Sequence, residues 1–589
     1  MCGIFGAFSK NGVDAQLLKS STDKLIHRGP DTGGYYANEE NNVFLGHRRL
    51  SIVDLSTASN QPMYSHDNRY VMVYNGEVYN TATLKSKLPG FPWRTSGDSE
   101  VILELFAHFG ASAFQWLNGI FAIVIYDQVQ HKLYICRDQL GIKPLFVARK
   151  KDCFYLASEL KAIKKAIPFN TNIQKEAVSS FLHLGYIPEP YTIYQEIEKF
   201  PAAHFASLDL NTNAWKQECY WDANDYYLNN PIQSESAAQK AYKDTLFAAI
   251  ERQMMSDVPL GTFLSGGIDS SIVTAVASKI SSNKINSFSI GFEEAAYDES
   301  IYANAVAKHL GTNHHLFKVK LDDVLQLVPE FIDVYDEPFA DSSAFPTMLV
   351  SKLAREHVTV TLSGDGGDEF FQGYGMYTWA KRLNHPLVKL FRKPAYAASQ
   401  LMSLRFQRAG QVFNYTNTAS IPSHIFSQEQ YLFSEQELKG LLIHHNFNFL
   451  EINQLPLKGT AQEKQAFWDI EHYLKDDLLV KVDRASMRYS LETRVPLLDK
   501  EIIELALNIP LHFKVNPEYG SKYLMKKVLY EMVPRDIFER PKRGFAIPLQ
   551  KWLANELKPM VFQYLNEETV LKAAFVQWMP VKQLLEDFY

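Results

Sequence analysis

The chain has 589 residues, 46% hydrophobic and 21% charged, which is too long for one hydrophobic core and ordinary for a globular protein. Its 60 Lys and Arg against 66 Asp and Glu give a net charge of −6, with no overall basic footprint for nucleic acid or an anionic membrane. No apolar run approaches the roughly 20 residues of a bilayer span, no signal-type segment opens the chain, and four scattered cysteines without a CxxC pair argue against a disulfide framework or zinc site, so a reducing, cytoplasmic setting is expected.

The chain opens "MCGIFG". If Met1 is removed, Cys2 carries a thiol and an α-amine on one residue. That amine titrates near pH 7.7–8.0 and can take the thiol proton, so the nucleophile brings its own base. "GHRRLSIVDL" follows, where Arg49 can pair with a carboxylate. In "VMVYNGEVYN" an apolar run is expected to end in a turn at Asn75-Gly76. The Asn75 side-chain amide and the Gly76 N–H can form an oxyanion hole. Glu77 comes next. "SGDSEVILELFAHFG" reads as a helix closed by Gly110, with Asp98 at its start, suited to an ammonium group. "GIFAIVIYD" and "HKLYICRD" read as strands joined by a turn near Gln128. Cys2, Arg49, Asn75, Gly76, Glu77 and Asp98 together describe a site for an amino acid whose side-chain carbonyl is attacked, and glutamine fits. A polar stretch over 211–236 reads as a linker.

Past the linker, strands alternate with helices, which implies a parallel sheet covered on both faces. "VPLGTFLSGGIDSSIVTAVASKI" is strand, glycine loop, helix. Ser265, Gly266 and Gly267 precede a helix that carries Asp269 and Ser270, a phosphate cradle without the lysine of the GxxxxGK[ST] loop. Asp269 suits such a loop where Mg²⁺ bridges carboxylate and phosphate. "VTVTLSGDGGDEFF" repeats the design with Ser363, Gly364, Asp365, Asp368 and Glu369. Both loops are expected at the carboxyl edge of the sheet, facing each other. Beyond Trp379 the chain reads as mostly helix with a mixed tail.

"SGGIDSS" is similar to the pyrophosphate loop of the N-type ATP pyrophosphatases, and with "LSGDGGDE" it resembles the synthetase half of the glutamine-dependent asparagine synthetases. The first half resembles the class II glutamine amidotransferases. The resemblance implies an N-terminal-nucleophile αββα sandwich over 1–210, then a Rossmann-like synthetase domain with a helical C-terminal part over 237–589. It implies that "HRGPD" closes over glutamine, with Arg28 in that lid and His27 structural. Leu264, Ile290 and Gly291 would hold adenine, with Asp298 a further nucleotide-side candidate. Asp269 and Asp368 would bind Mg²⁺. Lys522 would reach the α-phosphate of ATP. "DDLLVKVDRASMRYSLETRVPLLD" and "PKRGFAIPL" would supply packing and acceptor-site walls. The implied reaction hydrolyses glutamine at Cys2 and passes ammonia to an acyl-adenylate of aspartate. A homodimer belongs to the same expectation; no nucleic-acid or membrane partner does.

Two departures stand out. Asp365 occupies a position where many members carry Glu, which leaves another carboxylate, such as a sugar acid of a surface polysaccharide, open as acceptor beside aspartate. "PAAH" (201–204) replaces the family's "PGH" before a strand. A non-catalytic regulatory paralogue is a third reading, disfavoured by the intact nucleophile, oxyanion pair and loop acids.

Overall fold

The structure is a computed structural model that describes residues 1–38, 42–294, 298–444, 455, 458–539 and 547–589. Among the described residues, twelve strands build the N-terminal half. β1 (Gly3–Ser9), β2 (Thr32–Asn38), β3 (Val43–Arg49), β8 (Phe146–Lys150), β9 (Cys153–Ala157) and β10 (Glu198–Lys199) form one antiparallel sheet in the order β10-β8-β9-β1-β3-β2. β4 (Met63–Tyr64), β5 (Tyr70–Val78), β6 (Gly119–Asp127), β7 (Lys132–Arg137), β11 (His204–Asp209) and β12 (Trp215–Cys219) form a second, ordered β12-β11-β7-β6-β5-β4.

Alternation along the strands explains the layers. Val71 and Val73 of β5 meet Ile4, Phe8 and Val43 of the facing sheet, whereas Met72 and Tyr74 turn outward onto the helix Asp98–Phe109. On the other sheet, Phe5, Ala7 and Phe44 pack outward against the helices Ala15–Thr22 and Leu160–Ala166. Strands buried on both faces read as unbroken apolar runs, and all nine residues of β6 are buried. The result is the expected αββα sandwich.

Asn75-Gly76 is not a turn. β5 runs straight through it, pairing Asn75 with Ala122 and Gly76 with Phe121 of β6. The glycine answers a close approach instead: a Cβ there would lie 2.1 Å from the Ile120 carbonyl oxygen. The stretch 211–236 is also more ordered than its composition suggests, since Trp215–Cys219 is an edge strand paired with β11.

The C-terminal half holds one parallel sheet of β13 (Leu260–Phe263), β14 (Asn286–Phe292), β15 (Asn313–Val319), β16 (Val360–Leu362) and β17 (Glu492–Arg494), ordered β15-β14-β13-β16-β17. The helices Glu235–Gln253, Ile268–Ile280 and Tyr523–Tyr530 share one core. Leu321–Tyr335, Ala344–Arg355 and Leu479–Met487 share another with Phe288, Ile290 and Phe292. The strand order reverses direction between β13 and β16, so their following loops lie side by side, where parallel sheets bind ligands. Helices continue to Phe588, so the tail is helical rather than mixed. Residues 541–546 of "PKRGFAIPL", and Tyr297 before Asp298, lie outside the described residues.

The "PAAH" departure has a physical consequence. Ala203 adopts φ 58°, a left-handed conformation that costs an L-residue with a Cβ about 1 kcal/mol or more. It is pinned there, because its N–H donates to Asp138 O at 2.8 Å and its carbonyl accepts from Tyr220 N at 2.9 Å. Ala203→Gly is therefore expected to raise the unfolding free energy by about 1 kcal/mol in a urea titration.

Candidate active sites

Cys2 precedes β1, beside the end of β3 that delivers Arg49. β5 brings Asn75, Gly76 and Glu77 alongside, and the helix start at Asp98 closes the circle. One cavity is lined by Cys2, Arg49, Gly76, Glu77 and Asp98 together. The Cys2 N–H donates to Asn75 Oδ1 at 2.8 Å. That contact orients the amide so that Asn75 Nδ2, buried, has no hydrogen-bond partner among the described residues. A donor beside the thiol and not engaged by the protein is what an oxyanion hole requires.

Arg49 is buried, yet its partners are uncharged oxygens: Ser56 O at 2.9 Å, Asn60 Oδ1 at 2.7 Å and the Asp54 carbonyl. Its positive charge is thus left to a ligand. Opposite it stand two acids. Burial, and then Asp98, push the Glu77 carboxyl well above the ordinary range, with Arg494 opposing. Burial also raises Asp98, against hydrogen bonds from the Tyr74 hydroxyl (2.7 Å) and the Val78 N–H (2.8 Å). A ligand ammonium would relieve both carboxylates. A guanidinium facing paired acids matches the two ends of an α-amino acid.

Burial pushes the Cys2 thiol up, against the Met1 ammonium, a Leu50 backbone hydrogen bond and Arg49. The thiol therefore needs a base. With Met1 present, the Cys2 nitrogen is an amide and cannot serve. The Met1 ammonium is itself buried, 2.7 Å from Glu492 Oε2 of β17. Burial works to raise the Glu492 carboxyl, but that ammonium and Arg494 outweigh it and hold it at about 2. Arg494 also approaches Glu77, at 3.6 Å. From sequence, Glu492 and Arg494 fall in a stretch expected to supply packing and acceptor-site walls, with no individual role. Their signal, two opposite charges in an otherwise uninformative "ETR", becomes readable only once β17 is seen to abut the cavity.

"HRGPD" is a second correction. Arg28 does not line the cavity as a lid residue would. It is fully buried, donates to Cys2 O at 3.1 Å, and forms a two-pronged pair with Asp483 at 2.8 and 3.0 Å. It ties the Cys2 backbone to the C-terminal half. His27 is structural, as expected, with Nε2 3.1 Å from Glu159.

The second site lies on the edge between β13 and β16. Gly266 has φ 76°, and a Cβ on it would sit 2.7 Å from Ala303 N. Within the first loop the Ser265 and Ser270 hydroxyls are 2.9 Å apart, and Gly267 N–H donates to Ser265 Oγ at 3.3 Å. The second loop touches the first: a Cβ at Gly364 would lie 2.6 Å from Ser270 N. Lys522, almost fully buried, binds Asp269 and also Asp368, the latter at 2.7 Å. Burial works against its charge, but Asp269 and Asp368 outweigh that and hold the ammonium well above the ordinary lysine value. The two carboxylates expected to hold Mg²⁺ thus converge on one point, where a cation already sits. Two carboxylates with phosphate oxygens are the donor set Mg²⁺ takes, so these residues fit the ion.

Asp365 accepts from Ser363 Oγ at 2.7 Å, and burial raises its carboxyl against that bond. Ile290 and Gly291 end β14, next to β13; Asp298 lies over Gly291, 2.6 Å from where its Cβ would be, and pairs with Lys318. Leu264 is committed to packing on Ala303 and Val306. Lys481, missed by the sequence reading, bonds Asp341 and Ser343, each at 2.8 Å, and offsets Asp365.

A family model for asparagine synthase matches residues 241–588, and one for a glutamine amidotransferase domain matches residues 1–221. The chain is 32% identical to asparagine synthetase (glutamine-hydrolyzing) 1 of Bacillus subtilis (strain 168), over 100% of this chain and 93% of that protein. It is 34% identical to putative asparagine synthetase (glutamine-hydrolyzing) 2 of Methanocaldococcus jannaschii, over 83% of this chain and 98% of that one. It is also 26% identical to amidase chyE of Penicillium rubens, over 100% and 94%. The chain belongs to the asparagine synthase family, with a glutamine amidotransferase domain as its N-terminal half.

Proposed function

We propose that the chain is an ATP-dependent, glutamine-hydrolysing asparagine synthetase. The observation that carries this is a cavity lined by a thiol, a guanidinium without a carboxylate partner and two raised carboxylates, with the unengaged amide donor of Asn75 held next to the thiol-bearing residue by the bond from Cys2 N–H to Asn75 Oδ1. Arg49 takes the glutamine α-carboxylate, and Glu77 with Asp98 takes the α-ammonium. Once Met1 is removed, the Cys2 α-amine, held by Asn75 Oδ1, accepts the thiol proton. The thiolate attacks the side-chain carbonyl, and Asn75 Nδ2 with Gly76 N–H stabilises the oxyanion. Ammonia leaves, and water hydrolyses the thioester to glutamate.

At the second site the loops of Ser265–Gly267 and Ser363–Gly364 cradle the phosphates of ATP, while the backbone at Ile290 and Gly291 meets the adenine. Aspartate's side-chain carboxylate attacks the α-phosphorus and releases pyrophosphate. Lys522 offsets the charge that builds there. Ammonia then displaces AMP and gives asparagine. Asp269 and Asp368 would hold Mg²⁺, which neutralises phosphate charge when bound. A second reading keeps this chemistry and changes the acceptor. Asp365, one methylene shorter than Glu and tethered to Ser363, supports it.

Purified protein with ATP, Mg²⁺ and glutamine is expected to release pyrophosphate only when aspartate is added, with asparagine as product. Release with a sugar acid but not aspartate would move the acceptor; glutamine hydrolysis without any acid-dependent pyrophosphate would sink the proposal. Cys2→Ala is expected to lower glutamine-dependent synthesis more than about a thousandfold while sparing synthesis from ammonium salts. Loss of both would contradict two separate sites. Lys522→Ala is expected to slow pyrophosphate release by on the order of a hundredfold or more and leave glutamine hydrolysis intact.

A further inference from the structure

Net charge hides a strongly uneven distribution. From Phe370 to Gln428 the chain has no Asp or Glu and seven Lys or Arg, in a protein of net charge −6. In the middle of this segment the helix Pro386–Gln400 has no buried residue at all. It folds back on the helix Leu404–Gly410, with Gln400 and Gln407 exchanging side-chain-to-carbonyl hydrogen bonds of 3.4 and 3.3 Å. A Cβ at Gly410 would lie 1.8 Å from Ser399 Oγ, so the two helices are in close contact. This is an ordered hairpin.

Its inner face is only partly apolar, with Val388 packed against the core beside a cation. Arg392 points inward, donating to Tyr415 O at 2.6 Å and stacking over the Tyr415 ring at 4.1 Å. Leu387, Leu390, Phe391 and Leu401, spaced as one helical face, point into solvent; Leu390 is 70% and Leu401 90% exposed. Met402 and Phe406 extend the patch. Arg408 is paired with Glu437. Lys381, Arg382, Lys393 and Arg405 are exposed, and none has a carboxylate at ion-pair distance among the described residues.

We propose that this hairpin docks the enzyme on the surface of an anionic lipid bilayer. A bilayer interface takes aliphatic and aromatic side chains into its acyl boundary and Lys and Arg among its headgroups, and this face offers both. A second copy of the chain suits it less, because a two-fold contact would press identical cationic patches together. Nucleic acid would use the charges but leave Leu390 and Leu401 in water. Among the described residues no helix is long and apolar enough to cross a membrane, so the attachment is peripheral and salt-sensitive.

The test is vesicle flotation of the full-length protein with phosphatidylcholine vesicles, with and without phosphatidylglycerol. The wild type is expected to float only with phosphatidylglycerol present and to be released by salt. Replacing Lys393 or Arg405 by Ser should in each case lower partitioning about fivefold. The pair Leu390→Glu and Phe391→Glu should abolish it, with glutamine hydrolysis and circular dichroism unchanged. Three outcomes would overturn the proposal: no flotation at low salt, flotation that survives the apolar pair, or self-association or duplex nucleic-acid binding that the same substitutions remove while flotation is absent.

Discussion

Arg494 is the group on which both sites lean. Its side chain is fully buried, so its charge has to be met by neighbouring groups, although Nη2 has no hydrogen-bond partner among the described residues. Glu492 meets it at Nε, and the carbonyls of Gln253 and Met255 meet Nη1 at 2.7 and 2.6 Å. Glu77 of the amidotransferase half lies 3.6 Å away, and the Tyr79 ring 5.6 Å. Its own backbone carbonyl accepts from Ser363 N–H at 2.9 Å, at the root of the second glycine loop. One residue thus reaches a lining acid of the Cys2 cavity with its side chain and anchors the second glycine loop with its main chain. β17 is an edge strand, and Met1 and Glu77 of the N-terminal half meet its Glu492 and Arg494 side chains.

The same device recurs along the seam between the halves. Arg28 joins Cys2 and Glu159 to Asp483, and Lys143 reaches Asp483 at 3.4 Å. Lys199 reaches Asp476 at 3.2 Å, and Arg484 reaches Glu159 at 3.0 Å. Such pairs gain little over apolar packing in stability, but removing one partner leaves an uncompensated buried charge, at a cost of about 3–5 kcal/mol. They fix the halves in one register, so the distance between the sites is a property of the fold rather than of a flexible tether.

Legibility in the sequence followed how local each constraint is. Cys2, Arg49, Glu77 and Asp98 were readable because each is a chemically committed residue at or near an element end. The glycine loops were readable because a chain that turns through left-handed backbone between strand and helix, as at Gly266 and Gly366, favours glycine there. The Asn75-Gly76 turn failed because local propensity was outweighed by pairing with β6 on one side and β5's own continuation on the other. The opposite charges of Glu492 and Arg494 could not be interpreted from sequence, since what makes them matter is a partner more than 400 residues away. Arg28 was misplaced for the same reason: its partner Asp483 lies in the other half. The cationic hairpin vanished in a whole-chain sum of charges that averages a local surplus away.

In the proposed mechanism Cys2 carries its own base. In the structure the Cys2 nitrogen already sits 2.8 Å from Asn75 Oδ1, where an α-amine would be held, and only Met1 makes it an amide. Intact-mass spectrometry of a preparation active on glutamine tests this directly. The account predicts a mass short of the full chain by one methionine residue, with Cys2 first. An active preparation that uniformly retains Met1 would contradict it.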